Sequence, residues 1–555
     1  MPDTSVWEDR IRQALAWRRK LAHEDRWDEW LKQYRCEFPK GIVAVPVAYS
    51  YLRTMLPRIY LRNPRVMVTP RRSEYIAHAI VLEAVDNWLI DELGLKSEMK
   101  LAILDALICG YGVLKIGYDS EFGFIPVQAV DEDYETVTQV GEKKGTKVEY
   151  TVKVKPGMPW ALRVHPSDVV LPKGWTRRDS VPWIAHRVVR PLADIVDDIK
   201  YYRKARAQLA SKVEAEDEDQ LVELWEIRDF KNRMIHVICD GILLLSEEDD
   251  LQIEGLPFVF IVFNEDPKSP YGISDMRVID IQQAEMNDLR TLIQRHRRLS
   301  LLKFLAQKGA MSQEEAGKLL AEEIPTIVWT DSEPGVAVQP LQHQIPPSLR
   351  QELEFVRADM REALGYNVNI AGEFVPRTKT ATEVLTVQQA VNLRTDERRD
   401  VVADALALVV RKWNQLIFKY WTDRKVIKVV GVKAGSEAWV SYTGEELRGE
   451  YFVSVSPESS IPPSRALRHQ QAMQIFQALN GDPLIDQVLL RKMALRQFEW
   501  LGPEALALVK GEQEAPMQTL AQTLQSMAPG RPMMQEPETD LRGGRAALWE
   551  EIGGE

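Results

Sequence analysis

The chain has 555 residues, 45% of them hydrophobic and 28% charged, with a formal net charge of −11. That length exceeds one compact core, and the composition excludes a disordered or fibrous protein. The acidity argues against a protein that grips DNA by neutralising phosphates, although a wall along which DNA slides suits weak or repulsive contact.

The first residues, 1–20, are charged throughout and lack the apolar core of a signal peptide. Residues 5–34 are expected to form a helix, with Trp7, Ile11, Leu15, Leu21, Trp27 and Leu31 at roughly helical spacing. A second helix is expected over 48–60, stopping before Asn63-Pro64, and a strand over 65–70. A third helix, 74–93, has Ser73 as its N-cap and Gly94 as its stop; Ser97 would cap the next, 98–109. Gly110-Tyr-Gly112 then turns into a strand over 113–118.

From there to Phe263 the pattern is mostly strand-like, interrupted by acidic runs at 131–135, 214–219 and 247–250 that read as solvated loops or helix ends. The longest apolar run, 256–263, has strand length and falls far short of the ~20 residues of a membrane span, so the chain reads as soluble. Ser274 opens a helix expected to reach Gln307, about 50 Å at 1.5 Å per residue. Val278, Ile281, Leu289, Leu292, Ile293 and Leu299 form its apolar side, and Gln283, Asn287, Arg290, Gln294 and Arg297 a separate polar stripe. A mixed insert follows, with a strand candidate at 326–330, then a helix over 348–364 and a loop over 365–379. Thr380-Ala-Thr-Glu383 makes a capping box that opens a long helix to about Trp421. Strands return between Lys425 and Val455, a helical section spans 464–510, and the Gln-, Met-, Pro- and Gly-rich remainder reads as a flexible tail.

The chemistry of an enzyme does not assemble from this pattern. No GxxxxGK[ST] loop occurs, which removes a P-loop motor; residues 141–147 (GEKKGTK) lack the required order. Gly110-Tyr-Gly112 follows a helix and precedes a strand, the reverse of a dinucleotide-binding turn. Cys36, Cys109 and Cys239 are far apart and odd in number, which excludes a disulfide framework and fits a reducing compartment. The eight histidines show no HExxH or HxH spacing. Asp131, Asp133 and Glu135 are the best metal candidates, without the glycine and spacing of a calcium loop. No catalytic residue, metal or cofactor is assigned. Arg295-His-Arg-Arg298 reads as a solvated helix face or as inter-subunit ion pairs, with phosphate contact as the alternative. Arg377 and Lys379 carry the same two readings.

Five stretches in fixed order carry a resemblance. They are 63–70 (NPRVMVTP), 95–119 (LKSEMKLAILDALICGYGVLKIGYD), 271–290 (YGISDMRVIDIQQAEMNDLR), 380–383 (TATE) and 451–471 (YFVSVSPESSIPPSRALRHQQ). Together they resemble the portal proteins of tailed phages, the head-to-tail connectors.

That resemblance implies an α+β portal fold. It has a wing (1–273, joined by return strands 425–463), two stem helices (274–307 and 348–364) and a clip (308–347). A tunnel loop (365–379), a long helix (380–424), a crown (464–510) and a tail (511–555) complete it. It also implies a homo-oligomeric ring, likened to a dodecamer, around double-stranded DNA at the virion's portal vertex, assembled in the host cytoplasm. The implied partners are the terminase large subunit, a tail adaptor, the major capsid protein and scaffold, with no membrane. Asn287, Arg290, Gln294, Arg297, Arg377 and Lys379 become candidate tunnel-lining residues. The competing readings are another multimeric virion protein, such as a tail-tube adaptor, and a metal-dependent nuclease using the acidic clusters.

Overall fold

Helix α1 (Thr4–Ala22) buries one stripe, Trp7, Ile11, Ala14, Arg18 and Ala22, at helical spacing. The computed structural model describes residues 4–300 apart from 62, 119–124, 127, 131–134, 138–152, 155–156, 199, 212–219, 250 and 252. Beyond these it describes 304–306, 312–314, 338–340, 347–365, 381–430, 437–455, 473–474 and 476–477. The chain is α+β.

The expected single helix over 5–34 is broken: His23 adopts a left-handed conformation (φ 51°), and a 3-10 turn leads into α2 (Trp27–Tyr34). Arg18 explains the bend. Its guanidinium reaches across the break to Glu24 (2.6 and 3.0 Å) and donates to the carbonyls of Pro166 and Val169. Next come α3 (Val47–Ile59), β1 (Val66–Pro70), α4 (Ile76–Glu92) and α5 (Leu95–Cys109). Ser73 makes no side-chain cap, because a 3-10 turn occupies its place; Ser97 lies inside the first turn of α5 and donates to the Gly94 carbonyl. Gly110 ends α5 at φ +97°, as the turn reading requires.

Strand β2 (Gly112–Tyr118) follows, then the short β3 (Ile125–Pro126), β4 (Gln128–Val130), β5 (Glu135–Val137) and β6 (Lys153–Val154). Next come β7 (Pro159–Val164), β8 (Val169–Val170), β9 (Trp183–Pro191), α6 (Leu192–Asp197) and α7 (Arg203–Ala210). Strands β10 (Leu221–Asp229), β11 (Met234–Cys239) and β12 (Ile242–Glu248) form with β9 and β8 an antiparallel sheet ordered β12-β11-β10-β9-β8. Strand β13 (Phe258–Ile261) pairs with β2, which pairs with β7.

The remaining elements are α8 (Asp275–Ser300), β14 (Phe304–Ala306), β15 (Val338–Pro340), α9 (Pro347–Leu364), α10 (Ala381–Tyr420), β16 (Lys425–Val430), β17 (Glu437–Tyr442) and β18 (Tyr451–Val455). Strand β18 lies antiparallel to β1, Val66 opposite Val455, so the last strand closes onto the first. The main core gathers α3, α4, α5, β2 and β13 around α10, whose Trp413, Leu416 and Ile417 are fully buried. Each such side chain contributes on the order of 2–3 kcal/mol.

Helix α8 ends at Ser300, short of the expected Gln307, and β14 pairs instead with β15, Leu305 opposite Gln339. The run Leu301-Leu302-Lys303-Phe304-Leu305 is apolar at four of its five positions, a pattern too short to distinguish helix from strand. The strand candidate at 326–330, the loop 366–379, Thr380 of the capping box, and nearly all of 456–555 lie outside the described residues.

Candidate nucleic-acid channel face

Ser274 starts α8. Its hydroxyl accepts from the backbone N–H of Met276 (3.0 Å) and donates to the Ile108 carbonyl (2.6 Å). Beside it a Cβ on Gly110 would stand 2.4 Å from the Gly272 carbonyl oxygen, so the two loops touch backbone to backbone. Only a residue without a side chain permits that approach.

Asp275 carries the next link. Its two carboxylate oxygens accept from both Nη atoms of Arg398 on α10, at 2.8 and 3.0 Å, and also from Tyr51 Oη on α3 (2.8 Å) and Asn264 Nδ2 (2.8 Å). Burial pulls the Arg398 guanidinium down, but Asp275 and Tyr51 outweigh it and hold it above its ordinary value. Burial and the Asp275 charge push the Tyr51 hydroxyl up, so it stays protonated and donates.

Further along α8, the polar stripe faces the subunit's own N-terminal segment. Gln283 Nε2 donates to the Val45 carbonyl (2.9 Å), Asn287 Oδ1 accepts from Val45 N (3.0 Å), and Thr291 Oγ1 accepts from Val43 N (2.9 Å). Spaced by four residues, the three side chains satisfy backbone groups of a segment that belongs to no strand. Asn287, expected on the channel wall, is only 8% exposed in this subunit, where its side chain holds Val45. Arg290, Gln294 and Arg297 lie on the same side, within about 60° of arc at 100° per residue. Arg290 and Arg297 are exposed and Gln294 is half-buried, while Arg377 and Lys379 lie outside the described residues.

The opposite side of α8 is the unusual one. Val278, Ile281 and Leu292 share a sector of about 60° and are exposed, Ile281 to 79%. Phe355 on α9 is 62% exposed and Leu393 on α10 70%. The side of α8 that the subunit buries is mixed, Met276, Ile279 and Met286 together with Gln283, Asn287 and Thr291, and Leu289 of the expected apolar side is half-buried against the core.

Two buried polar groups escaped sequence reading. Lys115 on β2, fully buried, donates to Glu226 Oε2 on β10 (2.6 Å), Arg228 donates to Glu226 Oε1 (3.0 Å), and Arg228 reaches Asp249 (2.9 Å). The acidic run at 247–250 thus supplies part of a buried network. Asp86 on α4 accepts from Asn414 Nδ2 on α10 (3.1 Å), and burial raises its carboxyl well above the usual range. Among the described residues no group of three His, Cys, Asp or Glu side chains is disposed to hold a metal. Asp131 and Asp133 lie outside the described residues. Among those same described residues, no helix is long and apolar enough to cross a membrane.

Comparison with known families decides among the readings. The family model for the Phage P22-like portal protein matches residues 152–549, more than two thirds of the chain.

The chain belongs to the P22-like phage portal family. It is a portal vertex subunit of a tailed phage, a structural virion protein of a family that packages DNA. A comparison with curated proteins finds no match. The match takes in three of the five stretches that carried the resemblance, 271–290, 380–383 and 451–471. The two earlier ones, 63–70 and 95–119, precede it. In this portal subunit those two form β1 and the α5–β2 unit, against which α8 begins.

Proposed function

We propose that this portal subunit closes into a ring, with twelve copies as the expected number, through which double-stranded DNA is packaged and later ejected. The observation that supports the reading is the apolar stripe that α8 leaves exposed, although the helix already buries Met276, Ile279 and Met286 in its own subunit. The helix spends Gln283, Asn287 and Thr291 on the interior of its own subunit and leaves Val278, Ile281 and Leu292 outside. An apolar stripe of that kind on a long helix calls for a partner surface, and copies arranged about an axis supply one.

In this layout residues 1–273 and the return strands 425–463 form the wing, and α8 and α9 form the stem. Residues 308–347 form the clip, 365–379 the tunnel loop, 380–424 the long helix, 464–510 the crown and 511–555 the tail. Assembly in the host cytoplasm would bring in the major capsid protein and scaffold, and the clip would dock the terminase large subunit and then the tail adaptor. Arg290, Gln294, Arg297, Arg377 and Lys379 are the proposed DNA-facing residues, making loose, sequence-independent phosphate contacts. The net charge of −11 keeps such contacts weak enough for DNA to move.

The test is a phage carrying Arg377→Ala with Lys379→Ala, and a second carrying Arg290→Ala with Arg297→Ala. Reduced DNA packaging or retention is expected in both. Normal packaging and retention in both would remove these residues from the channel wall.

A further inference from the structure

The five-stranded sheet carries a cleft unrelated to the stem. It measures about 480 Å³ and lies where α1 crosses the β10–β11 turn and the segment between β8 and β9. That is within the size range of small-ligand and peptide-anchor pockets. Trp7 and Trp183 are buried and stand edge to face at 5.8 Å, while Trp175 is 40% exposed. Arg10, Lys173 and Lys231 are exposed and bring three positive charges to the same cleft.

The single carboxylate there does not cancel them. Asp229 is turned into its own turn, where it accepts from the backbone N–H groups of Lys231 (3.0 Å) and Asn232 (3.3 Å) and from Asn232 Nδ2 (2.7 Å). Arg10 stacks over Trp7 at 4.6 Å, and none of the three cations forms an ion pair among the described residues. A cationic, tryptophan-lined cleft on an acidic protein selects an acidic segment that carries an aromatic side chain.

The chain contains such a segment. Asp131, Glu132, Asp133, Tyr134 and Glu135 place four carboxylates and one phenol in five residues. Of these, Glu135 begins β5, which pairs antiparallel with β4, Val130 opposite Glu135.

We propose that the cleft receives residues 131–135 of a second copy of this chain, Tyr134 against the tryptophans and the carboxylates against Arg10, Lys173 and Lys231. The inference rests on the ring reading, which sets identical wings side by side. Each subunit then offers one acidic segment and one cleft, a head-to-tail contact that closes around a ring. The acidic run would act as an interaction element and not as a solvated loop.

The experiment uses the full chain with the exposed Cys36 changed to Ser, leaving Cys109 and Cys239 buried. Asp133→Cys and Lys231→Cys are introduced together, and a short bis-maleimide is added to the assembled protein. A ladder of covalent multimers on a denaturing gel is expected, and it should vanish when either cysteine is omitted. A cross-link confined to the monomer band would overturn the proposal, because the segment would then fold onto its own subunit. Absence of any cross-link in a protein whose native mass shows a ring would overturn it too and leave the ring reading intact. A native mass of one subunit would instead sink the ring reading, and the proposal with it. As a second arm, Asp131→Lys with Asp133→Lys should lower the salt concentration at which rings dissociate, and Lys173→Glu with Lys231→Glu should restore it. Unchanged salt resistance in the first variant, or no restoration in the second, would count against the contact.

Discussion

Arg398 and Asp275 face each other through two parallel hydrogen bonds of 2.8 and 3.0 Å, joining the middle of α10 to the first turn of α8. The pair is buried, with Tyr51 donating to the same carboxylate. In the layout proposed above, this joint would tie the stem to the long helix.

Removing either partner strands a charge where water cannot reach it. Arg398→Ala or Asp275→Asn is expected to cost about 3–5 kcal/mol, seen as a lowered thermal transition. Arg398→Lys should fall well short of wild type as well, because an ammonium cannot repeat the two-pronged geometry. Wild-type melting of the Lys variant would show that charge alone, without the fork, holds the joint.

The Lys115–Glu226–Arg228 network pins β2 to β10 and so joins the two larger sheets. Glu226→Gln is expected to destabilise by roughly 3–5 kcal/mol, since it leaves two buried cations facing an amide. Lys115 and Arg228 outweigh burial and hold Glu226 below its usual range, so it stays ionised throughout the neutral and mildly acidic range.

His186 supplies a pH dependence of known sign. Burial, and then the Lys115 charge, lower its value from 6.5. A group depressed in the folded state keeps its full contribution above the unfolded value and loses it as pH falls. Stability should therefore drop as pH falls below 6.5, and His186→Gln should flatten that part of the curve. Thermal melts between pH 7.5 and 5 read this directly; an unaltered slope in the variant would assign the drop to other groups.

Asp86 has the opposite sign. Burial raises its carboxyl well above 3.8, so the native state holds a proton that the unfolded chain releases. Its contribution is present at low pH and is lost as pH rises from about 4 through the folded value. Asp86→Asn keeps the shape and should gain stability over wild type progressively between pH 4 and 8. A constant difference across that range would mean that Asp86 is ionised in the fold.

The sequence made the elements legible where spacing speaks for itself. Ser274 as a cap, Gly110 as a stop and the long helix ending near Trp421 all follow from local rules. It left open what a stripe with two possible partners faces: Gln283 and Asn287 form a polar row whose spacing does not say that Val45 lies opposite. Lys115 left a faint signal, a lone lysine in an apolar strand, and Glu226 another, but nothing local joins residues 111 positions apart. Arg398 and Asp275, 123 apart, are invisible for the same reason.

The exposed side of α8 gives the assembly prediction. Ile281→Glu, alone or with Phe355→Glu, places charge on a surface that the subunit itself does not cover. Subunit folding should be unaffected, as far-ultraviolet circular dichroism would show, while the oligomer dissociates at concentrations where wild type stays whole. An unchanged oligomer in the double variant would place the interface elsewhere.

The most direct test of the central claim is the native mass of the purified protein by light scattering, with negative-stain images of the same sample. Twelve copies of the 63.6 kDa chain would weigh about 760 kDa, and end-on views should show rings with a central hole. A particle of one or two subunits at every concentration and salt condition tried would contradict the portal ring proposed here.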